Sequence, residues 1–204
     1  MFPLMIKPAG FGKGVGGGNY SPTIALTQGR AGMTTIVDVV QDDASISIGD
    51  TGFDVPIYGS LYRSNIFVGS NGYITFGFGS SAYSGLSRTN PGRGLLVSAA
   101  DHNWVFVAVK ADPGKFRVRW EGQAFRSSDL TSVFIWEATF FPDGVIQLAL
   151  DRIPITSGVS TLTKGDNVTF NDYAPNTGNN PNSFVFLPND AAGNSHTVQT
   201  GSYG

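Results

Sequence analysis

The chain of 204 residues has no cysteine, only two histidines, and only two glutamates and five lysines. Each scarcity removes a class of protein. Without cysteine there is no disulfide frame and no thiolate chemistry, and the chain suits assembly in a reducing cytosol. With no cysteine and two histidines far apart in sequence, His102 and His196, a zinc site would need aspartate ligands and is not expected. Charged residues make up 14% of the chain, against about a quarter in ordinary soluble domains, and the net charge of -2 gives no basic field for nucleic acid. Helices draw on Glu, Lys, Ala and Leu, so a helical bundle is excluded. No apolar run is long enough for a membrane-spanning helix. The start, Met1-Phe2-Pro3-Leu4-Met5-Ile6-Lys7-Pro8, lacks the basic and apolar regions of a signal peptide. A protein without one can still reach the outside within a virus particle.

What the chain does have is 27 glycines, 11 prolines and 12% aromatic residues. The glycines crowd into residues 1–33, around Gly10-Phe11-Gly12-Lys13-Gly14-Val15-Gly16-Gly17-Gly18. Such a stretch builds no core, because glycine packs nothing and loses much backbone entropy. Two readings stand, an unstructured tail or an arm that anchors the chain to a partner. In the second, Phe11, Gly12, Gly14, Gly16, Gly17 and Gly18 are the docking residues. The run is not a phosphate loop, since Gly12-Lys13 is followed by Gly14 where Ser or Thr is needed, and no helix follows.

Residues 34–187 carry strand patterns. Thr34-Thr35-Ile36-Val37 is β-branched, and Ile66-Phe67-Val68 and Tyr73-Ile74-Thr75-Phe76 flank Asn71-Gly72, a strong hairpin signal. Phe116, Val118 and Trp120 alternate with Lys115, Arg117, Arg119 and Glu121, which predicts a half-buried strand with a charged outer face. Asp112-Pro113-Gly114 and Pro142-Asp143-Gly144 read as turns on either side of that region. The stretch 131–141 is aromatic and β-branched, favouring a strand. Shorter strands are expected at 167–170 and 183–187, with 188–204 as a small polar tail. About ten strands punctuated by turns give an all-β chain, an antiparallel β-sandwich of jelly-roll type with a Gly-rich N-terminal arm.

Catalytic patterns are weak. Ser98, Asp101 and His102 form a triad only on paper, since adjacent strand residues point to opposite faces and no nucleophile elbow is present. Glu121 is expected on the exposed strand face. Glu137, within Phe134-Ile135-Trp136-Glu137-Ala138, could act as an acid with a raised pKa. The favoured reading is structural, facing solvent or paired with an arginine. Gln41-Asp42-Asp43 and the segment 166–172 offer oxygens to calcium without the spacing of an EF-hand, and turn aspartates are the simpler account. Tyr58, Tyr62, Tyr83, Trp104 and Tyr173 are aromatics that a sugar face could stack on, with Tyr83 and Trp104 the ligand-binding candidates. Tyr83 sits in Gly77-Phe78-Gly79-Ser80-Ser81-Ala82-Tyr83-Ser84-Gly85, a composition suited to a binding surface.

The segment 45–150 resembles a known module. Phe53-Asp54-Val55-Pro56-Ile57-Tyr58-Gly59, then Val68-Gly69-Ser70-Asn71-Gly72-Tyr73, are similar to a β-sandwich domain of bacterial secreted proteins. With Tyr83-Ser84-Gly85-Leu86, Ser98-Ala99-Ala100-Asp101, Phe116-Arg117-Val118-Arg119-Trp120-Glu121-Gly122 and Trp136-Glu137-Ala138-Thr139-Phe140-Phe141, the order of elements resembles a module recurrent in marine and cyanobacterial phage virion proteins. The resemblance implies a non-enzymatic virion component, in a tail fibre, appendage or surface decoration, with other virion proteins and further copies of itself as partners and no cofactor. The alternative expectation is a carbohydrate- or receptor-binding module, on a virion or secreted, whose partner is a host-surface glycan. Neither reading involves nucleic acid or a membrane.

Overall fold

The computed structural model describes residues 18–124, 134–152, 158–175 and 182–204. The described residues are all-β, with seventeen strands: β1 (Tyr20–Ser21), β2 (Thr34–Val37), β3 (Ser45–Ser47), β4 (Val55–Ile57), β5 (Ser60–Tyr62), β6 (Ile66–Gly69), β7 (Tyr73–Phe76), β8 (Gly94–Ala99), β9 (His102–Asp112), β10 (Lys115–Ala124), β11 (Phe134–Phe140), β12 (Ile146–Arg152), β13 (Val159–Thr163), β14 (Phe170–Asp172), β15 (Asn182–Pro188), β16 (His196–Thr200) and β17 (Ser202–Tyr203). No described helix is long and apolar enough to cross a membrane.

Two antiparallel sheets make the sandwich. One runs β16-β15-β12-β11-β10-β9-β2, the other β14-β13-β8-β7-β6-β3, and β4-β5 and β1-β17 are separate ribbons. The turn signals act where expected. Gly114 and Gly144 take φ of 74° and 83°, and Asn71-Gly72 closes β6 onto β7 with Gly69 paired to Tyr73. Tyr58 and Gly59, both at positive φ, form the two-residue turn of the β4-β5 hairpin. A tyrosine tolerates that conformation because its ring is buried and its hydroxyl donates to the Leu162 carbonyl at 2.8 Å.

The core lies between the sheets. Trp104, Phe116, Val118, Trp120, Trp136, Phe140 and Leu148 of one sheet meet Ile66, Val68, Ile74, Phe76, Leu95 and Val97 of the other. Trp120 and Trp136, paired across β10 and β11, stack at 5.7 Å, and Trp120 Nε1 donates to the Gly69 carbonyl of the facing sheet at 3.2 Å. On the far side of the six-stranded sheet, Tyr73, Leu96 and Ala99 form a smaller cluster against Leu86 and Val159. Tyr73 Oη donates to the Ser80 and Ala82 carbonyls, which fastens the Gly-Ser loop over that face.

Three expectations change. The strand expected at 167–170 starts only at Phe170, because Asp166 Oδ1 accepts the Val168 and Thr169 N–H groups in a side-chain-capped turn. Residues 188–204, read as a tail, supply β16 and β17 and extend the sheet past β15. Residues 18–33, read as part of an arm, are built onto the sandwich, with β1 paired to β17 and Asn19 and Gly204 exchanging main-chain hydrogen bonds.

Both histidines are core residues. His102 lies edge-on to Trp120 and Phe134, and His196 lies edge-on to Tyr58 at 5.3 Å. Burial lowers the His102 pKa, and lowers that of His196 to about 4 from 6.5, with the Asp190 charge and the Gly144 carbonyl opposing weakly. The unfolded chain therefore binds protons that the folded chain refuses, and stability falls as pH drops from 6.5 to about 4. We expect urea denaturation to show a loss of about 3 kcal/mol from His196 over that window. His196→Phe should remove most of it.

Candidate functional site

Charge alternation on β10 places Arg117, Arg119 and Glu121 on the side of the seven-stranded sheet away from the core, and β11 adds Glu137 opposite Arg119. The sequence predicts an exposed, solvated face, and the structure corrects this. Relative exposures are 3% for Arg117, 6% for Arg119, 5% for Glu121 and 2% for Glu137. The cover is residues 22–30, an extended strap crossing the sheet from β15 towards β9. Pro22 biases Ser21 towards extended backbone, and Thr23 and Ile24 are β-branched. Six extended residues reach about 17 Å, close to the roughly 19 Å across four strand spacings.

The strap binds through its main chain. Ala25 N donates to Ser183 Oγ at 2.8 Å. Gln28 N and Gly29 N donate to Glu137 Oε2 and Oε1 at 2.8 and 3.0 Å. Arg30 forks onto Glu121, with Nε to Oε1 at 2.8 Å and Nη2 to Oε2 at 2.5 Å, and its guanidinium lies 3.8 Å above the Phe106 ring. Beneath it Arg119 bridges the two carboxylates, with Nε to Glu121 Oε1 at 2.6 Å and Nη1 to Glu137 Oε1 at 2.8 Å. Arg117 Nη1 stands 3.8 Å from Glu137 Oε2, and Asp112 ties Arg117 to Lys110. Charges thus alternate along Arg30, Glu121, Arg119, Glu137, Arg117, Asp112 and Lys110. Burial works to raise the Glu121 pKa, and the Arg30 and Arg119 guanidiniums outweigh it and hold the carboxyl below its usual range.

Both glutamates of the chain are therefore ion-paired. Glu137 has the arginine partner the sequence reading allowed. His102 faces the core and donates its backbone N–H to Asn71 Oδ1, so Ser98, Asp101 and His102 form no triad.

The binding candidates separate. Trp104 is 1% exposed, with Nε1 donating to Gln41 Oε1 at 3.1 Å, so its ring belongs to the core and offers no face to a ligand. Nothing in the local pattern marks this, because Trp104-Val105-Phe106-Val107-Ala108-Val109 is apolar on both faces of β9. Tyr58 and Tyr173 are buried as well, and their hydroxyls donate to the Leu162 and Leu96 carbonyls. Tyr83 is 51% exposed, and Phe78 in the same loop is 40% exposed. The loop continues into an open cleft of about 490 Å3 lined by Leu86, Ser87, Arg88, Ser160, Asn167 and Asp172. Arg88 pairs with Asp172 and lies 3.5 Å above the Phe170 ring. Of the docking candidates, Gly18 lies against Tyr203, whose ring would stand 2.5 Å from any Cβ placed there. Phe11, Gly12, Gly14, Gly16 and Gly17 lie outside the described residues.

Asp42, Asp43 and Asp101 bring carboxylate oxygens within 4.8 Å of one another, and Asn71 Nδ2 donates to Asp43 Oδ1. Grouped surface carboxylates of this kind assign no ion. Comparison with protein-family models, curated proteins and solved structures gives no match.

Removing one member of a buried ion network leaves the others uncompensated. Glu137→Ala should cost about 3–5 kcal/mol in urea unfolding, because Arg119 and two strap N–H groups lose their acceptor. The pair Glu137→Leu with Arg119→Met should lose clearly less than Glu137→Ala, since it removes both charges together.

Proposed function

We propose that the chain is a non-enzymatic structural subunit of a bacteriophage virion, in a tail fibre, an appendage or a surface decoration. The ordered series of sequence elements from Phe53 to Phe141 suggests the class. The observation that carries the reading is the corner where β1 and β17 pair. Asn19 N donates to the Gly204 carbonyl at 2.8 Å, so Asn19, which follows the Gly-rich run in the sequence, is held beside Gly204. A segment so attached can dock on a neighbouring protein while the sandwich stays intact. The ionic chemistry of Glu121 and Glu137 supports the same reading, because both carboxylates hold structure.

The boundary of the docking arm follows from the strap. Residues 22–30 cover buried charge, so an arm free to dock comprises residues 1–17. Deleting 1–17 should leave the circular dichroism spectrum and unfolding midpoint unchanged and abolish incorporation into particles. Incorporation at the wild-type level would count against the reading. An antibody against residues 34–187 should label the tail or capsid of purified particles. Protein found only free in the medium would sink the virion assignment.

A second reading, a receptor-binding surface for host glycans, is favoured by exposed Tyr83 and Phe78 in the loop that leads into the open cleft at Arg88 and Asp172. A sugar stacking on Tyr83 predicts that Tyr83→Ala weakens binding roughly tenfold in glycan titrations. A flat glycan screen, with the variant equal to wild type, removes it.

A further inference from the structure

The outer face of the seven-stranded sheet is a receptor for a peptide. Its pieces are a carboxylate for two successive N–H groups, a hydroxyl for a third, a carboxylate for a guanidinium and an aromatic ring beneath that cation. The ligand is residues 25–30 of this sequence. Nothing in these contacts requires the peptide and the sheet to belong to the same copy of the chain.

Three features set the strap apart from the sandwich it covers. It is held by side chains of the sheet: among the described residues, none of 22–29 makes a main-chain to main-chain hydrogen bond, and the ladder to be exchanged with it is the short β1–β17 pair at its start. It meets β2 through a tight turn in which Met33 N donates to the Arg30 carbonyl at 3.1 Å. Gly29 precedes that turn at φ of 76° and Gly32 lies within it at φ of 69°, so glycine carries the bend that returns the strap to its own sheet. The strap also exposes two large apolar side chains, beside the exposed Thr23, Gln28 and Arg30. Ile24 and Leu26 are 43% and 65% exposed, and Tyr20 at its start is 38% exposed. A segment that already covers one sheet and shows apolar side chains outward suits a position between two copies.

We propose that in an assembly of this chain the strap is exchanged. Gln28, Gly29 and Arg30 of one copy close the Glu137–Arg119–Glu121 cluster of the next, and Ile24 and Leu26 are covered where the copies meet. Exchange of an identical element keeps every contact described above and adds the interface between copies. Opening the short turn removes the bend that returns the strap to its own sheet. The partner is a second copy of this chain.

The exchange rests on the proposed structural role, and the two fail separately. The role is read by labelling particles, whereas exchange is read in purified protein. The chain has no cysteine, so an engineered thiol pair is the only bridge possible. Full-length chains carrying Ala25→Cys and Ser183→Cys singly are co-expressed in equal amounts, oxidised and run without reductant. Exchange places the two thiols on different chains and links about half of the chains into dimers, whether the assembly is a pair or a ring. The double variant in one chain then forms covalent multimers under the same oxidation. Monomer bands alone, with an internal bridge in the double variant, overturn the proposal. Light scattering gives a reading that needs no disulfide. The full chain is an oligomer; a full chain that is monomeric at every concentration overturns the proposal.

Discussion

Two carboxylates and two guanidiniums taken out of water on one sheet face set the central constraint on this molecule. An isolated buried charge costs several kcal/mol, and a pair is tolerable only when its remaining donors and acceptors are matched. Glu137 meets that condition with Arg119 and two main-chain N–H groups, and Glu121 meets it with Arg119 and Arg30. Without the strap, four of the six hydrogen bonds to these carboxylates would have to come from water, and the face could not be dry. The path of residues 22–30 is therefore a condition of the sheet's composition.

Such a network specifies more than it stabilises. Apolar residues of equal volume would hold the sheet at least as well. They would accept any apolar segment in any register, whereas Glu137 accepts N–H groups that point inward at adjacent residues and Glu121 accepts a fork. The same selectivity that fixes the strap on its own sheet fits it to the identical sheet of a neighbour. The pairing of β1 with β17 then fixes Asn19 beside Gly204. The strap lies over the outer face of one sheet, and the aromatic loop with Tyr83 covers the other.

Much of the core was legible. Turn residues such as Asp112-Pro113-Gly114 and Asn71-Gly72 act locally, and the period-two alternation of β10 correctly sent Phe116, Val118 and Trp120 inward. The arginine partner of Glu137 was within reach for the same reason, since opposite charges on paired strands face one another. The strap was hidden because Thr23-Ile24-Ala25-Leu26-Thr27-Gln28 carries no charge and no period that marks a sheet-covering segment, and its binding groups are main-chain N–H groups common to almost every residue. Trp104 misled because the β9 pattern is apolar on both faces, leaving no polar side to mark which way the ring points.

The sequence by itself determined the all-β class, the hairpins and the inward set of the central strands, because glycine, proline and side-chain alternation act over a few residues. It also excluded thiolate chemistry and a basic surface by composition alone. Only the tertiary structure decided that the charged face of β10 is buried, that 188–204 belongs to the sheets and that residues 18–30 are part of the sandwich. The burial of the charged face and the place of the strap rest on contacts more than a hundred residues apart, such as Gln28 with Glu137 and Ala25 with Ser183, while β16 joins the sheet through its pairing with β15. Burial is a property of what lies on top of a residue, and the residue's own type and spacing cannot encode it.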